Sequence, residues 1–106
     1  MTGLVTVYST FADFEEASRV ARILVEERLA ACANVLGPCR SIYRWQGAVE
    51  ESEEVAVLFK TRADSAERLV GRLADLHSYE VPAAVVWPIA HALPDYARWI
   101  EAETGH

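Results

Sequence analysis

Three residues carry donor atoms that bind transition metals: His77, Cys32 and Glu80. A neutral imidazole is the commonest protein ligand for such ions, a thiol is a soft donor, and a carboxylate adds negative charge. His77 directly follows a predicted helix, which predicts exposure; a surface histidine without chemistry is the alternative. Cys32 lies between alanines in an apolar run, where burial would keep its thiol protonated and make it a small hydrophobic residue.

A second group combines three aromatic rings with one cation: Tyr43, Trp45, Tyr79 and Lys60. Aromatic walls with one ammonium, and with Glu80 as the carboxylate, suit a small anionic or planar ligand. The alternative is that the rings contact another subunit, since tyrosine and tryptophan bury a large area there and keep a polar tip. The residue types alone leave both interpretations open.

No residue pattern in the chain predicts catalysis. The sequence has no glycine-rich phosphate loop, no nucleophile elbow and no carboxylate pair whose placement would separate an acid from a base. Glu80 with His77 or Tyr79 could move a proton, but no second group identifies a reacting carbonyl. We therefore predict that the protein is not an enzyme.

Length and charge limit the class of protein. The 106 residues include 16 acidic and 10 basic side chains, for a net charge of -6, and 52% are hydrophobic. This composition predicts one packed domain, and the scattered basic residues argue against nucleic-acid binding. No apolar stretch reaches the ~20 residues that span a bilayer, and the sequence start lacks a basic signal region. We expect a cytoplasmic protein that does not enter membranes.

Hydrophobic periodicity predicts the elements that position these residues. Strands are predicted over residues 4–9, 32–36 continuing through 40–45 as one bent edge strand, 53–61 and 83–88, and helices over 14 to 28 or 29, 64–76 and 93–103. Asp13 is the predicted N-cap of the first helix, Glu16 completes a capping box, and Phe14 begins the apolar stripe. The acidic run 50–54 is interpreted as a solvated turn.

The order of elements predicts the fold. Strand, helix, strand, strand, helix, strand and helix fold most simply as an α+β, ferredoxin-like split βαβ sandwich, in which two helices cover one face of an antiparallel sheet. The other sheet face is then uncovered. The extra C-terminal helix and the long aromatic hairpin are surplus to a monomeric core, so we predict that they form subunit contacts.

Four spaced motifs carry a resemblance to a known family: ERLAACANV at 27–35, SIYRWQG at 41–47, LFKT at 58–61 and HSYEVP at 77–82. Together with YARWI at 96–100, they resemble the CutA family of divalent-cation-tolerance proteins over nearly the whole chain. The resemblance implies a single CutA-like domain over residues 1–106, a homotrimer with its sheets packed inward, and similarity in shape to the PII signalling proteins. It also implies binding of copper or another divalent cation, which folding does not require.

Three residues depart from the pattern that the resemblance implies for metal binding. Ser9 stands where some members carry a thiol, Leu76 replaces the first of two histidines, and Ser78 replaces the usual proline. Cys32 matches the family's cysteine after the alanine pair. A single imidazole with few other donors is a weak copper site.

The leading prediction is a divalent cation (copper) tolerance protein of CutA type, a trimeric metal-binding or regulatory protein with His77 as the main donor. The alternative is a PII-like sensor or interaction scaffold that binds a small molecule in intersubunit clefts. That ligand would be held through Lys60, Trp45, Tyr79 and Glu80.

Overall fold

The computed structural model describes residues 2–105, so both ends of the predicted domain, residues 1 and 106, lie outside the described residues. Four strands and three helices follow one another: β1 (Leu4–Phe11), α1 (Phe14–Glu26), β2 (Cys32–Trp45), β3 (Ala48–Arg62), α2 (Ala66–Leu76), β4 (Val85–Ile89) and α3 (Pro94–Glu103). The strands form one antiparallel sheet in the order β2-β3-β1-β4. The element order and the antiparallel sheet confirm the predicted α+β fold of split βαβ type.

α1 begins at its predicted cap and ends earlier than predicted. The Asp13 carboxylate accepts a hydrogen bond from the backbone N–H of Glu16 at 2.8 Å, which satisfies one free donor of the first turn. The helix ends at Glu26 rather than at 28 or 29 because Arg28 has a φ of 62°. This left-handed backbone conformation cannot continue a right-handed helix.

The main core lies between the sheet and the two helices α1 and α2. Alternate residues of β1 and β3 point toward these helices, so the apolar side chains of both strands meet those of the helices. The buried members are Val5, Val7, Phe11, Ala17, Val20, Ala21, Leu24, Leu29, Ala30, Val55, Val57, Phe59, Ala66, Leu69 and Leu73. Phe14 was predicted to begin this apolar stripe, but it is 53% exposed, while the charged Glu16 is buried.

The hairpin of β2 and β3 is longer than predicted. β3 begins at Ala48, so the acidic run 50–54, which was interpreted as a turn, lies within a paired strand. The predicted bend in β2 is present as a register shift between Val35 and Pro38. The far end of the hairpin is exposed, and the molecule measures 44 × 25 × 23 Å.

α3 packs on the sheet face opposite α1 and α2, which we call the open face. Its Ile100 is fully buried in a small second cluster with Leu4 and Ala31. The prediction that this face is uncovered is therefore wrong at one end. Within residues 2–105, none of the helices has the length and apolar character needed to cross a membrane.

The rest of the open face carries aromatic rings. Tyr8 of β1 and Trp87 of β4 stack with ring centroids 5.3 Å apart, and Trp87 is 47% exposed. In α3, Tyr96 and Trp99 stack at 5.8 Å and also remain partly exposed, whereas Ile100 of the same helix is buried. The open face therefore presents apolar surface that this chain does not cover by itself.

Replacing Phe59 with Ala tests the position of the main core. We expect the free energy of unfolding to fall by about 3–5 kcal/mol, because the truncation removes buried surface and leaves a cavity. The measurement is urea-induced unfolding at one fixed protein concentration, since self-association makes stability depend on concentration. Phe14→Ala is the matched control, with an expected change of about 0.5 kcal/mol or less because the ring is half exposed. An equal fall in the free energy of unfolding in the two variants would contradict this position of the main core.

Candidate functional site

A groove of about 780 Å³ lies on the open face, between the β2–β3 hairpin and the segment 79–83. Its volume is in the range of small-molecule sites. The groove is lined by Tyr8, Thr10, Ser41, Tyr43, Arg44, Trp45, Glu50, Ser52, Glu54, Tyr79, Glu80, Val81, Pro82 and Ala83. It therefore brings together Tyr43, Trp45 and Tyr79 with Glu80, the carboxylate that was predicted for the same ligand.

Strand alternation places the hairpin residues in the groove. In the register of β2 and β3, Ser41 lies opposite Ser52, Tyr43 opposite Glu50 and Trp45 opposite Ala48. Directly opposed residues of an antiparallel pair share a face. Ser41, Tyr43 and Trp45 therefore share one face of β2, as the two-residue period of a strand requires.

Glu54 is the most connected carboxylate of the groove. Its Oε1 accepts a hydrogen bond from the Ser41 hydroxyl, and its Oε2 accepts one from the Tyr79 hydroxyl at 2.8 Å. Burial, together with this bond to Glu54, raises the pKa of Tyr79 above its ordinary range. Burial and the charges of Cys39 and Glu54 also raise the pKa of Tyr8. Both phenols therefore stay protonated to a higher pH than an ordinary tyrosine.

The segment that forms the second wall of the groove is held by two serines. The Glu16 carboxylate accepts hydrogen bonds from the backbone N–H of Ser78 at 2.7 Å and from its hydroxyl at 2.9 Å. The Ser9 hydroxyl donates to the Ala83 carbonyl at 2.6 Å. Proline, which the resemblance implies at position 78, has no backbone N–H and could not donate the bond that Ser78 donates to Glu16.

His77 is buried, so the prediction that it is exposed is wrong. Its ring stacks on Phe11 with centroids 4.5 Å apart, and its side chain has no exposed surface. Nδ1 accepts a hydrogen bond from the Tyr79 backbone N–H at 3.1 Å, so Nε2 carries the proton and donates to the Thr10 carbonyl at 2.8 Å. Both ring nitrogens are engaged in this neutral tautomer, and neither presents a free lone pair to a metal.

The structure does not bring the three predicted metal donors together. Cys32 lies opposite Lys60 in the sheet, and its thiol meets the Tyr96 hydroxyl at 3.5 Å under α3. This hydrogen bond, together with burial and the Coulombic effect of Cys32, raises the pKa of Tyr96 to about 12. Glu80 lines the groove. His77 is buried behind the groove wall, against Phe11. Among residues 2–105, no group of three or more His, Cys, Asp and Glu side chains is placed to hold a metal ion.

Lys60 lies outside the groove. Its ammonium donates to the Asn34 side-chain oxygen at 2.9 Å, further along the open face toward α3. The predicted ligand set therefore divides, with its cation separate from its aromatic rings. Sequence reasoning also missed Glu54 and Tyr8, although strand alternation already placed them on the face that carries Tyr43.

The fold and the groove define a small α+β protein with one helix-covered sheet face and one aromatic open face. The chain belongs to the CutA1 divalent ion tolerance protein family, whose model matches residues 5–103. It is 43% identical over 101 residues to the divalent-cation tolerance protein CutA of Pyrococcus horikoshii, a match that covers 95% of this chain and 98% of the relative.

Solved structures agree with this family membership. The crystal structure of CutA from Xylella fastidiosa matches with a TM-score of 0.94 at 38% identity and covers 97% of this chain and 99% of that one. A structure from Archaeoglobus fulgidus, named a periplasmic divalent cation tolerance protein, matches with a TM-score of 0.91 at 33% identity and covers 94% and 97%. The similarity therefore extends over the whole architecture.

Replacing Tyr79 with Phe tests the contact between Tyr79 and Glu54. Because the raised pKa holds the Tyr79 phenol protonated, the ultraviolet absorbance of phenolate that develops between about pH 9 and 11 should be the same in both proteins. A tyrosine with a raised folded-state pKa stabilises the fold fully below pH ~10, and this contribution is lost as the pH rises through the folded value. The free energy of unfolding should therefore fall less steeply above pH ~10 in Tyr79→Phe. A phenolate signal smaller by one tyrosine in the variant would contradict the contact.

Proposed function

We propose that the protein acts in divalent-cation tolerance as a cytoplasmic homotrimer that binds or senses a divalent cation. Membership of the CutA1 divalent ion tolerance family over residues 5–103 carries this proposal. The family is named for tolerance and not for a reaction, and the proposed role is non-enzymatic. The cytoplasmic location stays a prediction, since the relative from Archaeoglobus fulgidus is named a periplasmic protein.

The exposed rings of the open face support assembly. Tyr43, Trp45, Val85 and Trp87 are each 40–47% exposed in the single chain. Large apolar side chains left exposed on one sheet face typically mark a protein interaction site. We propose that further copies of the chain pack against the open face, and the number of three follows from the family resemblance.

Copper or another divalent cation is the proposed ligand, held between subunits. His77, Cys32 and Glu80 are separated within one chain, so a complete donor set needs residues from more than one copy. Coordination by His77 between subunits would also require its buried ring to leave Phe11 and one ring nitrogen to give up a hydrogen bond, and both changes cost binding energy. We therefore expect weak binding, and we expect the protein to fold without the metal.

A native mass spectrum of the metal-stripped protein, titrated with Cu(II), tests this function. We expect an assembly of three times the 11.8 kDa chain mass that binds three copper ions, one for each subunit. His77→Ala should lose this uptake while circular dichroism confirms the fold. His91→Ala is the matched control, because His91 is exposed, and it should bind copper like the parent. Graded uptake that His77→Ala leaves unchanged would contradict the metal role, and a single-chain mass would contradict the trimer.

The groove favours a second candidate function, a PII-like sensor or interaction scaffold that holds a small molecule in an intersubunit cleft. The observation behind it is that Tyr43, Trp45, Tyr79 and Glu80 line one groove at the edge of the open face. In a trimer packed through the open face, this groove would lie next to a neighbouring subunit.

A further inference from the structure

We propose that the contact between Ser78 and Glu16 holds His77 in a closed position and so limits how tightly the protein binds a divalent cation. This inference rests on the proposed metal function, because it names the regulation of the same donor. Glu16 belongs to α1, which packs on the sheet face opposite the open face. Further copies of the chain that pack against the open face therefore leave this contact in place.

Residues 77–84, which we call the connecting segment, join α2 to β4 and contain neither helix nor strand. The segment contacts β1 near both of its ends. His77 donates to the Thr10 carbonyl at 2.8 Å, and the Ala83 carbonyl accepts a hydrogen bond from Ser9 at 2.6 Å. Because these are single contacts and not a continuous ladder of backbone bonds, local opening of the segment costs less than opening a strand or a helix.

Ser78 attaches the connecting segment to α1. Its backbone N–H and its hydroxyl donate to different oxygens of the Glu16 carboxylate, at 2.7 and 2.9 Å. The Glu16 side chain is only 10% exposed, so water competes little for these oxygens. Hydrogen bonds to a carboxylate are also stronger than those between neutral groups. Since Ser78 directly follows His77, this contact fixes the backbone that carries the imidazole.

The closed position leaves no part of the imidazole available to a cation. The ring stacks on Phe11, and the Tyr79 ring lies on it with centroids 4.7 Å apart. Both ring nitrogens are engaged in hydrogen bonds. Withdrawal of the ring from Phe11 moves the backbone at residue 77, and this movement breaks the adjacent contact with Glu16.

Metal binding is therefore linked to the position of His77. A ligand that binds only a minor form of a protein has an apparent affinity equal to its intrinsic affinity multiplied by the fraction of that form. A substitution that weakens a contact present only in the closed position raises the open fraction, so it tightens metal binding. Loss of a purely structural contact would instead weaken binding or leave it unchanged.

Ser78→Ala tests this regulation, because it removes the hydroxyl bond to Glu16 and leaves every proposed donor in place. We expect the metal-stripped variant to bind Cu(II) about tenfold more tightly than the parent in isothermal titration, since a hydrogen bond to a charged group stabilises by about that factor. Without metal, diethyl pyrocarbonate should modify His77 about tenfold faster in the variant. His91, which is exposed, is the internal reference and should react at the same rate in both proteins.

Ser18→Ala is the matched control, because it makes the same substitution at an exposed position of α1. It should change neither the copper affinity nor the rate of modification at His77. Glu16→Gln is the second variant, since its side chain offers the Ser78 donors one acceptor oxygen in place of two, and it should act in the same direction as Ser78→Ala. The double variant Ser78→Ala/His77→Ala should lose the gain in affinity. Circular dichroism checks the fold of each variant.

The remaining outcomes separate this inference from the function beneath it. An equal rate of His77 modification in Ser78→Ala and in the parent would overturn the proposal, because the contact would then not hold the ring closed. Faster modification with unchanged or weaker copper binding would also overturn it, and the metal function would survive because the parent binds copper. Absence of copper binding in the parent and in all variants would contradict the metal function, and the proposed regulation with it.

Discussion

Burial of one face of the sheet against α1 and α2 is the interaction on which the rest of the structure depends. Val57 and Phe59 of β3 are fully buried there, and a shift of one residue in strand register would turn them toward solvent. With this face fixed, alternation places Tyr8, Tyr43 and Glu54 on the other face. The groove and the aromatic surface are therefore direct consequences of how the main core is packed.

Local patterns predicted the features that depend on neighbouring residues. The cap at Asp13 and the bend in β2 between residues 36 and 40 follow from side-chain chemistry or chain pattern within a few positions. The end of α1 was missed because it depends on the left-handed conformation of Arg28, which no residue type signalled. Long-range contacts were the other source of error, since His77 is buried by a strand 67 residues away.

The difference between local patterns and long-range contacts also explains which parts of the candidate site could be predicted. Alternation could place Glu54 on the correct face, but its partner Tyr79 follows a helix and reaches it only in the folded chain. Ser9 and Ser78, which stand where the family pattern has other residues, bond to Ala83 and Glu16 and fix the wall of the groove. In this chain these positions maintain the shape of the groove, and His77 packs behind that wall. The arrangement favours a role for the groove itself over a metal site within one subunit.

Hydroxyl-radical footprinting of the native assembly tests most directly whether the open face is covered by other copies of the chain. Trp87 on this face and Phe14 on α1 are 47% and 53% exposed in the single chain, so Phe14 is an internal reference. If copies of the chain cover the open face, Trp87 is protected while Phe14 is oxidised at the rate that its exposure gives. Rapid oxidation of Trp87 together with Phe14 would show that the open face is free in solution and would contradict assembly through it.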